Sequence, residues 1–187
     1  MAYLIPIANM SLADQERRRQ TAVMAGRQAL VDAAIVRNVT NVVDRDADYP
    51  FDFVPAATRA GLAGWLSMPL AVAATLYSLF ADNVPAALTP QVPNNQVWVF
   101  YGMHVLTLND PITQIFFSIG VSAIRKAAFD VEKLYDQLTT HGYFTQPVVY
   151  GPQDVATVTV RSRLATGVGC RVALDAIVFE PIQNTQA

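Results

Sequence analysis

Residues 155–181, VATVTVRSRLATGVGCRVALDAIVFEP, decide how we interpret the fold. In the first half of this stretch, Ala156, Val158 and Val160 occupy every second position, and threonines and arginines fill the positions between them. Side chains alternate between the two faces of a β-strand, so this pattern predicts a strand with one face in the core and the other in water.

The second half of the stretch also alternates, and we expect the two halves to pair as a β-hairpin around residues 164–169. In this register Val160 lies opposite Leu174, and Thr159 lies opposite Asp175 on the outer face. The two glycines of the connecting loop supply the backbone freedom that a tight return requires.

The predicted hairpin leaves Ile177 and Phe179 on its polar face. Burying each of these side chains is worth roughly 1.5–3 kcal/mol, so an exposed position is unfavourable. We therefore expect a cover, which is either the N-terminal helix of the same chain or a second subunit.

A long N-terminal helix is predicted over residues 11–38. Ser11 and Asp14 have the spacing of a capping box, whose side-chain oxygens accept hydrogen bonds from the first amide groups of a helix. The apolar residues near one face of this helix are Met24, Val31 and Ile35, with Val23, Leu30 and Ala34 beside them. Such a stripe requires a packing partner, inside the chain or on a neighbouring subunit.

Three regions follow from these patterns: an N-terminal arm with the long helix (1–43), a linker with a short helix (44–69) and a β domain (70–187). Residues 60–81 carry no charge and are long enough to cross a bilayer as a helix. Pro69, many small residues and the lack of a flanking cluster of lysines and arginines favour instead a short helix up to about Pro69 and a strand containing residues 75–80. No membrane contact is expected.

Aromatic and β-branched strands dominate the chain from residue 96 onward, with Gly120 predicted to mark a bend. Residues 130–138 fit a short helix or a strand with a turn. Pro147 and Pro152 flank the short run of residues 148–150, which favours an edge or corner position for that strand. The expected fold is mainly β: a jelly-roll-like β-sandwich preceded by a long helix and an irregular linker.

The composition favours a protein that assembles with others. Of the 187 residues, 52% are hydrophobic and only 15% are charged, which suggests that partners cover apolar surface. The net charge of −2 argues against binding to nucleic acid through bulk electrostatics. The first ten residues lack the positive leading region of a secretory signal.

No cofactor, metal or catalytic role is predicted for any residue. Asp44, Asp46 and Asp48 resemble the start of a calcium loop, but the glycine and glutamate that such a loop requires are missing. His104 and His141 lack a spacing typical of metal ligands, and we expect them to be ordinary strand and turn residues. The common nucleotide-binding, hydrolase and metalloprotease motifs are absent from the sequence, so we expect no enzymatic activity.

The segments VWVFYGM, VEKLY, GYFTQPVVYGPQDV and CRVALDAIVFEP together resemble the β-sandwich or jelly-roll modules of tailed-phage virion proteins. The resemblance covers roughly residues 70–182 and rests on strand order, aromatic-rich strands and proline-bounded corners. It implies a capsid decoration, cement or minor capsid protein, assembled in the host cytoplasm and located in the virion. Such proteins bind other capsid proteins and are often homo-oligomers, with trimers among them.

We therefore predict a non-enzymatic, homo-oligomeric virion protein that stabilises the particle through subunit contacts. The residues expected at these contacts are Met24, Val31, Ile35, Trp98, Phe100, Tyr143, Phe144, Ile177 and Phe179. The alternative hypothesis is a carbohydrate- or ligand-binding β-sandwich, for which exposed aromatic side chains on a concave sheet would be required.

Overall fold

A computed structural model describes residues 2–37, 43–47, 68–69, 76–78, 91–94, 96–105, 112–120, 124–163, 169–170 and 172–180. Among these residues, the helices are α1 (Leu12–Arg37) and α2 (Glu132–Asp136), and a 3₁₀ turn spans Ile7–Asn9. The strands are β1 (Ala2–Pro6), β2 (Val43–Ala47), β3 (Met68–Pro69), β4 (Leu76–Ser78), β5 (Val97–Val105), β6 (Ile112–Ile119), β7 (Ile124–Asp130), β8 (His141–Tyr150), β9 (Ala156–Ser162), β10 (Gly169–Cys170) and β11 (Val172–Glu180). The prediction of a mainly β fold with a long N-terminal helix is confirmed.

Nine of these strands form one sheet in the order β2-β11-β5-β8-β1-β7-β6-β9-β4. Neighbouring strands are antiparallel, except that β1 runs parallel to β7. β3 and β10 form a separate two-stranded pair. We had assigned the first residues to an N-terminal arm, but β1 lies inside the sheet, between β8 and β7.

The large sheet curls into a half-barrel. Phe100 on β5 and Phe117 on β6 lie four positions apart in the strand order, which in a flat sheet corresponds to about 19 Å. Their ring centroids are only 5.7 Å apart. The Tyr150 hydroxyl likewise donates a hydrogen bond across the interior to the carbonyl of Ser118 on β6, at 2.9 Å. The main hydrophobic core therefore fills the concave side of the sheet.

The predicted hairpin between the two halves of residues 155–181 is wrong. β9 pairs with β6 and β4, whereas β11 pairs with β5 and β2. The predicted core face is nevertheless confirmed, because Ala156, Val158, Val160 and Leu174 are all fully buried. Alternation fixes which face of a strand is buried, and in a curled sheet two distant strands contribute to the same core without pairing.

A second correction concerns β8, which we had expected at an edge or corner. It is a central strand between β5 and β1. Its pairing with β5 jumps from Phe100↔Val148 to Gly102↔Tyr143, so that Pro147 lies outside this ladder. A proline is compatible with a central strand at such an irregularity, because no ladder hydrogen bond is required from its nitrogen.

Helix α1 begins as predicted. The Ser11 hydroxyl accepts a hydrogen bond from the Asp14 amide at 3.1 Å and donates one to the Asp14 carboxylate at 2.7 Å. The buried stripe agrees with the prediction only at its margin, since Leu30 and Val23 contact the sheet whereas Met24 and Val31 do not. It consists of small residues and one leucine at four-residue spacing, Ala22, Gly26 and Leu30, which pack on the convex side of the sheet.

Helix α1 covers Ile177 and Phe179, which answers the question that the sequence raised. Both residues are buried in a cluster with Ala22 and Leu30 of α1. A β-carbon added at Gly26 would lie 2.2 Å from Cε2 of Phe179, so the glycine is what allows the helix to approach this ring. The cover belongs to the same chain, and no second subunit is required for it.

Several smaller predictions are also decided. β4 lies within the strand predicted over residues 75–80, α2 is the helical alternative of residues 130–138, and Gly120 follows β6 in a turn with a φ of 76°. β7 was not predicted. Met68–Pro69 are the residues described at the end of the expected short helix, and they form a strand; the rest of that segment lies outside the described residues.

Candidate functional site

Most of the aromatic residues predicted at subunit contacts belong to the core of a single chain. Trp98, Phe100 and Phe144 are at most 2% exposed and point into the half-barrel. Ile177 and Phe179 are buried as well, so none of these five side chains is exposed to a second subunit at the surface of the chain. The physical reason is the curl of the sheet, which turns aromatic side chains of distant strands towards one another.

Met24 and Val31 remain at the surface. Their side chains are 71% and 39% exposed, and they lie seven residues apart on α1, about two turns and therefore close to one side of the helix. We call this surface the outer face of α1. Ile35, predicted on the same face, lies in α1, but its side chain is outside the described residues.

A cluster of two histidines and one aspartate lies on three neighbouring strands, and we call it the His–Asp cluster. His104 on β5 is directly opposite His141 on β8, and Asp175 is on β11, which pairs with the other side of β5. The two imidazole rings stack with centroids 3.5 Å apart and planes at 19°. Because Asp175 is two residues from Ile177 on one strand, the cluster lies on the face of the sheet that α1 covers.

One carboxylate serves both rings of the His–Asp cluster. Nε2 of His141 is 2.7 Å from Oδ2 of Asp175, and Nε2 of His104 is 3.3 Å from Oδ1. The side chains of His104, His141 and Asp175 are 34%, 17% and 13% exposed. The cluster is therefore partly shielded but open to solvent on the His104 side.

Gly102 makes room for this arrangement. A β-carbon at this position would lie 2.4 Å from Oδ2 of Asp175 and 2.6 Å from Cδ1 of Tyr143. The register of β5 shifts on both sides at this point, against β8 between Phe100 and Gly102 and against β11 between Asp175 and Ala176. Bulges of this kind re-aim side chains and are frequent beside functional sites.

Burial and hydrogen bonding act in opposite directions on Asp175. Burial alone raises the pKa of the Asp175 carboxyl, but the hydrogen bonds and charges of His104 and His141 outweigh burial and lower this pKa below its ordinary value. Burial, reinforced by the negative charge of Asp175, raises the pKa of Tyr143, whose ring contacts that of His141 edge to face at 5.0 Å. A carboxylate and two imidazoles therefore converge beside a neutral phenol.

A groove of about 400 Å³ runs beside the first turns of α1. Arg18 lines this groove, and its Nη1 donates hydrogen bonds to the carbonyls of Phe144 and Thr145, both at 3.0 Å. Arg17 pairs with Asp14 at 3.4 Å on the exposed surface. These hydrogen bonds attach α1 to β8. The run of three arginines at positions 17–19 did not by itself indicate this structural role.

The His–Asp cluster was not predicted. Its members are 37 and 34 residues apart in sequence, and strand pairing alone brings them together. Two signals were present in the sequence: Gly102 interrupts a strand of bulky residues, and Asp175 is the single charged residue among the eight residues from 172 to 179. Neither signal identifies a partner strand.

The chain matches no protein-family model, and a search of curated proteins found no significant similarity. Among the described residues, no helix is both long enough and apolar enough to cross a membrane.

Proposed function

We propose that this protein is a structural component of a virion that associates with copies of itself and with capsid proteins. The observation that carries the proposal is the outer face of α1, where Met24 and Val31 are exposed on a helix whose opposite side is already packed on the sheet. Apolar side chains at heptad spacing on an exposed helix face are typical of helix-to-helix contacts between subunits.

Two further features support association. The charged fraction of 15% is well below the quarter or so that is usual for soluble domains. In addition, β2 and β4 stand at the two ends of the strand order, and sheet edges pair readily with strands of other molecules. Both features are compatible with a chain whose apolar surface and sheet edges are covered when it associates with other subunits.

We also propose that the half-barrel is a variant of the jelly-roll class. Its two halves, β11-β5-β8 and β7-β6-β9, face each other across the core, and β1 joins them. The neighbouring strands are mostly distant in sequence, as in the long crossovers of jelly rolls. The resemblance of the sequence to tailed-phage virion modules points in the same direction.

The association is tested by Met24→Glu, which places a charge on the outer face of α1. Burying an unpaired carboxylate in an interface is strongly unfavourable, so we expect the dissociation constant of the oligomer to rise at least about 100-fold. Sedimentation velocity over a concentration series measures the change, and circular dichroism confirms that the variant folds.

Leu138→Glu is the matched control. Leu138 follows α2 and is 97% exposed, and the substitution also replaces an apolar side chain by a carboxylate. This variant is expected to associate like the wild-type chain. A wild-type protein that stays monomeric at the highest soluble concentration, or equal weakening by both variants, would contradict the proposed contact.

The virion role requires a separate experiment. Particles purified from the producing cells are expected to contain the full chain in a fixed ratio to the major shell protein, as measured by quantitative mass spectrometry. Absence of the chain from purified particles would overturn the capsid assignment while leaving self-association in place.

A further inference from the structure

We propose that the His–Asp cluster binds one divalent transition-metal ion of the zinc class. One ligand atom from each of His104, His141 and Asp175 can be chosen so that all of them lie within 4.8 Å of one another. Two imidazoles and one carboxylate are a donor set that Zn²⁺ and its first-row neighbours prefer, with water in the remaining position.

The distances fit an ion bound between the carboxylate and the two ring nitrogens, with each neutral imidazole binding through an unprotonated Nε2 and carrying its proton on Nδ1. Two ligands of a tetrahedral Zn²⁺ lie about 3.4 Å apart when each bond is about 2.1 Å. His104 Nε2 already lies 3.3 Å from the carboxylate, whereas the 2.7 Å separation at His141 has to widen. The rings must also turn out of their parallel stack so that both nitrogens point at the ion, and the more exposed His104 has the space to do so.

The backbone holds this site in position. The three ligands come from adjacent strands of one sheet, which are more rigid supports than loops. Gly102 leaves the space into which Asp175 reaches, and the edge of the Tyr143 ring contacts the His141 ring. A bound ion would link β11, β5 and β8 through side chains as well as through the ladder.

The charge balance also favours a cation. With neutral imidazoles the cluster carries the single negative charge of Asp175, and a divalent ion converts its net charge from −1 to +1. The charged groups of α1 that act on Tyr143, Glu16 and Arg19, are of opposite sign. An ion reaches the cluster from the partly exposed His104 side.

Isothermal titration of the chelator-treated full chain with ZnCl₂ tests the proposal. We expect one ion per chain with a dissociation constant in the micromolar range or below, and a rise in Tm of about 5–10 °C when free zinc exceeds this constant about 100-fold. Co²⁺ in place of Zn²⁺ is expected to show visible d–d bands of a nitrogen- and oxygen-ligated ion. Mg²⁺, which prefers oxygen ligands, is not expected to compete.

His104→Ala and His141→Ala each remove one ligand and are expected to weaken zinc binding more than about 100-fold and to abolish the cobalt bands. Gly102→Ala displaces Asp175 without removing a ligand, and we expect about 10- to 100-fold weaker binding. Asp136→Asn, which removes an exposed carboxylate on α2, is the control and is expected to bind like the wild-type chain.

Two results would overturn the site: no binding of Zn²⁺ or Co²⁺ up to millimolar concentration, or binding that the folded His104→Ala variant retains unchanged. His104 is the most exposed of the three ligands, so its replacement is the least disturbing to the fold and keeps the test decisive.

Discussion

Single residues set how closely the elements of this protein approach. Glycines show this most clearly: Gly26 leaves room for the ring of Phe179 beneath α1, and Gly102 leaves room for the carboxylate of Asp175 across β5. In each case a neighbouring side chain occupies the space that a β-carbon at the glycine would fill. Helix propensity alone predicts that a glycine at position 26 weakens α1.

The Gly26→Ala variant distinguishes the effect of helix propensity from the effect of the contact with Phe179. Helix propensity predicts a gain of about 1 kcal/mol. The contact with Phe179 predicts a loss of about 1–3 kcal/mol from overpacking, because the added β-carbon meets a fully buried ring that has little freedom to move. We expect the loss to prevail in the free energy of unfolding, measured with urea.

The double variant Gly26→Ala with Phe179→Leu is the control. The smaller side chain at position 179 removes the ring that the new methyl group meets, so the alanine is expected to cost less in this background than in the wild-type chain. An alanine that stabilises both backgrounds equally would contradict the close approach.

Helix α1 shows both a prediction from sequence that the structure matches and one that it does not. Its start follows from a local signal, because the Ser11 hydroxyl and the Asp14 amide are three residues apart on one turn. Its buried side follows only in part, because Leu30 faces the sheet as the apolar pattern suggested, but its buried neighbours are the small residues Ala22 and Gly26. The helix approaches the sheet closely where its own side chains are short, as at Gly26 above the ring of Phe179. This requirement is set by the residues of the sheet and cannot be deduced from the helix alone.

Ser11→Ala tests the start of α1. The substitution removes the acceptor of the Asp14 amide hydrogen, and we expect a loss of about 1 kcal/mol in the free energy of unfolding. Chemical denaturation measures the loss.

Gln20→Ala, an exposed change on the same helix, is expected to have an effect within about 0.5 kcal/mol and serves as the control. A Ser11→Ala variant that is as stable as the wild-type chain would indicate that the cap contributes nothing in this fold.

At the scale of the whole molecule, β1 joins the two halves of the half-barrel. It pairs with β8 on one side and with β7 on the other, and Leu4 is fully buried in the main core. The first residues thus form a central strand of the sheet, although the sequence predicted them to belong to an N-terminal arm.

Leu4→Asp tests this role. An unpaired carboxylate in the core is expected to abolish the cooperative unfolding transition, since its burial costs more than a typical domain's margin of stability. Thermal unfolding monitored by near-ultraviolet circular dichroism provides the measurement.

Tyr3→Asp is the matched control, because Tyr3 is the neighbouring residue of the same strand and is 42% exposed. It is expected to retain a cooperative transition. Cooperative unfolding of Leu4→Asp near the wild-type Tm would show that β1 is dispensable.

The sequence by itself determined the local features of this protein: the mainly β composition, the start of α1 and the alternating core face of β9. Each of these depends on neighbours within a few positions along the chain. The tertiary structure alone decided which strands pair, which side of α1 is buried and which side chains meet in the His–Asp cluster. Those outcomes depend on the curl of the sheet, because curling brings residues into contact that are distant along the chain and that no local pattern connects.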